Sequence, residues 1–137
     1  MRLPALIVLA ASLVAGCSQR HLPPGSQFAM AEVLLRHQLT AQPSPLGTRA
    51  SRCPCYVLVG DQDLPAESAA ALTSTGVTFL PGSAWSAGKG LLVRVGLPQP
   101  RWNGNFDVAL GYDCEPQCAH STNALMRYDG SRWRVLE

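Results

Sequence analysis

Leu91-Leu-Val-Arg-Val-Gly-Leu97, followed by Asn105-Phe-Asp-Val-Ala-Leu-Gly-Tyr112, decides the fold. In the second segment Phe106, Val108, Leu110 and Tyr112 fall on alternate positions, the period of a strand with one covered face. The first segment is a nearly unbroken apolar run of strand length, ended by Pro98-Gln-Pro-Arg-Trp-Asn-Gly104. Downstream, Asp113–His120 reads as a connection. Asn123–Tyr128 and Arg132–Leu136 read as a terminal hairpin around Asp129-Gly130, a strong short-range turn signal. Trp133 and Val135 share a face of its second strand. The last third of the chain therefore predicts β-structure of the antiparallel meander type.

Upstream the period changes. Phe28, Ala31, Leu35 and Leu39 recur at spacings of three and four, with Glu32, Arg36 and Gln38 off that line. This predicts an amphipathic helix over 27–40, its stripe widened by Met30, Val33 and Leu34 and its start capped by Ser26. Two prolines, Pro43 and Pro45, end it. Cys53-Pro-Cys-Tyr-Val-Leu-Val59 reads as a buried strand whose start belongs at an edge or sheet margin, because Pro54 has no N–H to donate. Residues 61–76 read as a shorter helix, with Pro65 in its first turn, Glu67 at the positive end of its dipole and Gly76 as its C-cap. Val77–Leu80 is a short strand, and 81–90 a Gly/Ser loop carrying Trp85. The expected fold class is α+β, with the N-terminal helix and a short second helix packed on a mainly antiparallel, meander-type β-sheet. It resembles helix-on-curved-sheet folds of the NTF2-like or cystatin-like kind. The ending Tyr112-Asp-Cys114…Cys118…Asp129-Gly-Ser-Arg-Trp133-Arg-Val135 is similar to that of many small exported bacterial proteins, a resemblance that carries no activity with it.

The first seventeen residues concern location. Arg2 is a short positive segment, Leu3–Val14 is apolar apart from Pro4 and Ser12, and Val14-Ala15-Gly16-Cys17 closes the run with small residues before a cysteine. A permanent membrane-spanning helix needs about 20 apolar residues, so this pattern reads as a secretory signal. Val14-Ala15-Gly16-Cys17 resembles the lipobox of bacterial lipoproteins. That resemblance implies cleavage after residue 16 and acylation of Cys17. The expected organisation is a signal peptide over 1–16, an acylated tether over 17–25 and one periplasmic domain over 26–137. Ser18, where Asp would imply inner-membrane retention in enterobacterial lipoproteins, points to the outer membrane.

Composition narrows the function classes. The chain of 137 residues has eleven Lys+Arg against nine Asp+Glu, a near-neutral balance without basic blocks, so there is no electrostatic footprint for nucleic acid. Of the five cysteines, assigning Cys17 to lipid leaves Cys53, Cys55, Cys114 and Cys118. An even remainder in an oxidising compartment points to two disulfides of open connectivity. The same four thiols, with His120 nearby, also suit Cu(I) or Zn(II), although only 114/118 has the usual zinc spacing. His21, His37 and His120 lack ligand spacing. No G-x-S-x-G elbow or phosphate-binding loop is present, and Asp61-Gln-Asp63 reads as a solvated capping turn rather than part of a calcium loop. No catalytic residue, metal or cofactor is expected. Trp85 and Trp102, with Arg101 beside the latter, sit in loops and are the candidate partner-binding residues. The resulting expectation is a non-enzymatic lipoprotein that binds another envelope or secretion-system protein. The other readings are a small ligand-binding protein or enzyme using a helix/sheet cavity, and a copper- or zinc-handling protein.

Overall fold

Helix α1 (Ser26–Thr40) lays Met30, Ala31, Leu34 and Leu35 fully into the core. Phe28, Val33 and Leu39 pack along its margins. The spacing of three and four is thus realised, centred on the Met30/Leu34 line. The computed structural model describes residues 22–40, 46, 54–73, 76–113 and 120–136. The remaining elements are β1 (Cys55–Val59), β2 (Gln62–Asp63), α2 (Ala66–Thr73), β3 (Phe79–Pro81), a 3-10 turn (Gly82–Ala84), β4 (Leu91–Val95), β5 (Gln99–Pro100), β6 (Asn105–Asp113), β7 (His120–Tyr128) and β8 (Trp133–Val135). Arg36 ties the two helices together, donating from Nη2 to the Ala71 carbonyl at 3.2 Å while it pairs with Glu32 at 3.2 Å.

The fold is α+β, on a mixed and mainly antiparallel sheet of eight strands ordered β2-β1-β4-β6-β7-β8, with β3 beside β1 and β5 beside β6. Its centre is parallel. β1 runs parallel to both β3 and β4, with Cys55 opposite Phe79 on one side and Leu91 on the other. Parallel strands are usually covered on both faces and read as continuous apolar runs, as Cys-Tyr-Val-Leu-Val and Leu-Leu-Val-Arg-Val do. The β1–α2–β3 passage is a βαβ unit, its two strands parallel neighbours. Strand β1 is interior to the sheet, and Pro54 precedes its ladder, where the missing N–H removes no bond. The Pro54 carbonyl accepts from Leu91 N at 3.2 Å.

From β4 onward the pairing is antiparallel, through β6 and β7 to β8. The alternation over 106–112 is obeyed: Phe106, Val108, Leu110 and Tyr112 are all buried. Helix α1 crosses this sheet from β8 towards β1. Its start lies by the β7–β8 turn, sharing a groove with Tyr128, Ser131 and Trp133. Near its end Gln38 Oε1 accepts the Tyr112 hydroxyl at 3.3 Å. The sheet therefore has two ends, one at the start of α1 and one at its finish.

Two short strands differ from the sequence expectation. Of Asp61-Gln-Asp63 only Asp61 lies in a turn, the one joining β1 to β2: Leu58 pairs with Asp63 and Val59 with Gln62, and α2 begins only at Ala66. Asp63 holds the 3-10 turn by accepting Ser83 N at 2.8 Å and Ser83 Oγ at 2.5 Å. Both bonds favour the carboxylate, the hydroxyl more than the amide, and hold its pKa below the ordinary value of 3.8. The second is β5, within the Pro98–Pro100 stretch, which pairs with Asp107 and Phe106 of β6.

Candidate functional site

The loop tryptophans part company. Trp85 is half-buried, and its Nε1 donates to the Gly90 carbonyl at 3.1 Å. The ring closes its own loop. Trp102 is 95% exposed. It sits in the tight β5–β6 turn, where Gly104 N donates to the Arg101 carbonyl at 3.1 Å and Arg101 N to the Asn105 carbonyl at 2.8 Å. Among the described residues the only other exposed large hydrophobic side chain is Leu97, 50% exposed and in the same β4–β6 connection. Arg101 lies over β6, its Nε 3.5 Å from Asp107 Oδ2. Of the three residues singled out for partner binding, Arg101 and Trp102 lie together on the surface and Trp85 does not join them.

At the same end of the sheet, where Asn105 pairs with Arg127, lies an apolar groove of about 430 Å³. Pro23, Pro24, Ala29 and Val33 form one wall and Tyr128 and Trp133 the other. Trp133 is 5% exposed and packs edge-on against Phe106, with ring centroids 5.2 Å apart. Its Nε1 is buried and has no hydrogen-bond partner among the described residues. Burying an indole N–H unpaired costs free energy, which the packing of the ring on Phe106 and Tyr128 has to offset. Nothing in the sequence marks the groove, because its walls come from residues about a hundred positions apart.

At the opposite end Arg94, Asp113, His120 and Ser121 line a shallower recess of about 260 Å³. The His120 ring lies 6.2 Å from that of Tyr112. His37 is exposed in the last turn of α1, and His21 lies outside the described residues.

Cys55 is fully buried in the core. Cys17, Cys53, Cys114 and Cys118 lie outside the described residues. Pro54 and Asp113 stand on either side of the start of β4, through Pro54 O to Leu91 N and the Asp113–Leu92 pair. Among the described residues no three His, Cys, Asp or Glu side chains gather as a metal site. Comparison of the chain with models of protein families, with curated proteins and with solved structures gives no match.

Proposed function

We propose that the protein is a lipoprotein anchored through acylated Cys17 and facing the periplasm, where it works by binding rather than by catalysis. Its domain is a non-enzymatic interaction module of the envelope, the sheet from β4 onward being read as a meander that supports it. Its protein partner belongs to the envelope or a secretion system. The observation that carries binding over catalysis is Trp102, which marks a contact surface without itself fixing whether lipid or protein meets it. A tryptophan 95% exposed in a tight, well-bonded turn contributes little to its own core and suits contact with something else. The outer membrane is the expected site of the anchor.

Two measurements test the anchor and its compartment. Cys17→Ala should release the protein from membranes on fractionation, and unchanged retention would remove the anchor. Protein exported and then denatured under oxidising conditions should show no reactive thiol, with Cys53, Cys55, Cys114 and Cys118 in two disulfides; four titrating thiols would contradict this. For binding, a photo-cross-linking side chain at position 102 in intact cells should give a discrete adduct. An absence of any adduct there, with the protein folded and exported, would overturn the role of the turn.

A second reading rests on the groove. Its volume lies within the roughly 300–1,000 Å³ of small-molecule sites, and aromatic and proline side chains form its walls. A small apolar ligand would fit that lining. Native mass spectrometry of gently purified protein should then find a bound small molecule that Ala29→Trp, which fills the groove, displaces.

A further inference from the structure

We propose that the end of the sheet carrying Arg101 and Trp102 docks on the bilayer that holds Cys17, so that the turn's partner is an anionic phospholipid surface. This rests on the lipid-anchor reading above and adds an orientation to it. The register brings three segments to one end: Asn105 of β6 pairs with Arg127 of β7, and Arg127 with Arg134 of β8. The β5–β6 turn, which precedes Asn105, and the β7–β8 turn, which follows Tyr128, therefore project from the same end. The start of α1 is there too, since Pro23 and Pro24 share the groove with Tyr128 and Arg132. The chain thus enters the domain where Trp102 is exposed.

Reach makes this juxtaposition consequential. Residues 18–22 separate Cys17 from Pro23 and span at most about 20 Å fully extended. That is less than the width of a small domain, so an acylated Cys17 holds the entry end, and no other, close to the headgroups.

The chemistry of this end matches such a surface. Trp102 offers the amphipathic ring that is enriched at membrane interfaces. Arg101, Arg127, Arg132 and Arg134 are all exposed. Asp107 and Asp129 are the carboxylates beside them, 3.5 Å from Arg101 and 3.7 Å from Arg134, which leaves an excess of positive charge. Each arginine near an anionic bilayer strengthens binding about fivefold. The acyl chains suffice for attachment, so the turn sets orientation. It holds the Gln38–Tyr112 end and the Arg94–Ser121 recess away from the membrane, where a protein partner can reach them.

The full lipoprotein, reconstituted in vesicles of phosphatidylethanolamine and phosphatidylglycerol with brominated acyl chains, tests this. The Trp102 signal is the difference between the natural chain and Trp102→Phe. We expect bromines near the headgroups to quench it, and about a tenfold rise in salt or joint Arg127→Gln and Arg132→Gln substitution to relieve the quenching. A Trp102 signal as in water, or equal in purely zwitterionic vesicles, overturns the docking. So does a position-102 cross-link in cells that carries protein and no phospholipid. The mass of the N-terminal peptide reads acylation separately. An unmodified Cys17 overturns the anchor and the docking with it, whereas a modified Cys17 with an unquenched Trp102 overturns the docking alone.

Discussion

The 81–90 loop and the 98–104 turn are alike in composition, rich in Gly, Pro and small polar residues around a single tryptophan, yet they have opposite fates. The first is drawn into the parallel half of the sheet. Asp63 grips Ser83, Trp85 bonds back to Gly90, and Gly82 lies so close to β1 that an added Cβ would stand 2.7 Å from the Val57 carbonyl oxygen. The second closes on its own backbone and leaves Trp102 in solvent. What separates them is the neighbour each meets. The 81–90 loop must return from β3, on one side of β1, to β4 on the other, and so passes over packed side chains. The 98–104 turn only reverses the chain at the side of β6.

The largest expected effect tests that closeness. Gly82→Ala forces β1 or the 3-10 turn to shift, because the obstacle includes backbone, and should destabilise the protein by about 1–3 kcal/mol in urea unfolding. A near-neutral result would mean that the loop is less tightly seated than it stands. Trp85→Phe keeps most of the ring but removes the donor to Gly90. The loss should be about 1 kcal/mol, in the range of one part-buried hydrogen bond, read from the same unfolding curves.

The sequence carries most of this fold and little of the site, for physical reasons that particular residues show. The Phe106–Tyr112 alternation and the Met30–Leu39 stripe are legible because burying one face imposes a period. Strand β2 is illegible: Gln62 and Asp63 have low strand propensity, and only the exposed flank of β1 recruits them. Pro65 and Glu67 are good helix-start signals, but they mark Ala66, and the residues before them go to the sheet. The parallel β1–β4 pairing also escapes local reading, since apolar runs do not state the direction of their neighbours. For the site, Arg101 and Trp102 are visible as a composition. Their exposure, and the nearness of the chain's entry, depend on which strands pair.

A smaller effect concerns how the first loop is held. Asp63 has its pKa lowered by the Ser83 hydroxyl and amide. Because the folded value lies below the unfolded one, the stabilisation is complete above the unfolded pKa and is lost as pH falls through the folded value. Asp63→Asn should therefore be less stable than the natural chain at pH 7, and the two should converge in acid. Urea midpoints measured from pH 7 down to pH 2 follow this directly. A gap that does not narrow in acid would assign the loss to geometry instead of charge.

The smallest expected effect on stability is the most informative about the second region. Trp102→Ala removes the largest exposed ring of the described chain, yet unfolding free energy should change by no more than about 0.5 kcal/mol, as for surface sites without special geometry. The backbone bonds Arg101 N to Asn105 O and Gly104 N to Arg101 O remain, so the turn has no reason to open. In solution the emission lost in Trp102→Phe should be the most red-shifted and the most readily quenched by acrylamide, and that lost in Trp85→Phe bluer and better protected. A stability loss above about 1 kcal/mol would mean that Trp102 leans on the fold after all, and the two loops would then differ in degree only. With stability unmoved, the ring is held in water without benefit to the core, which is what the proposed docking requires of it.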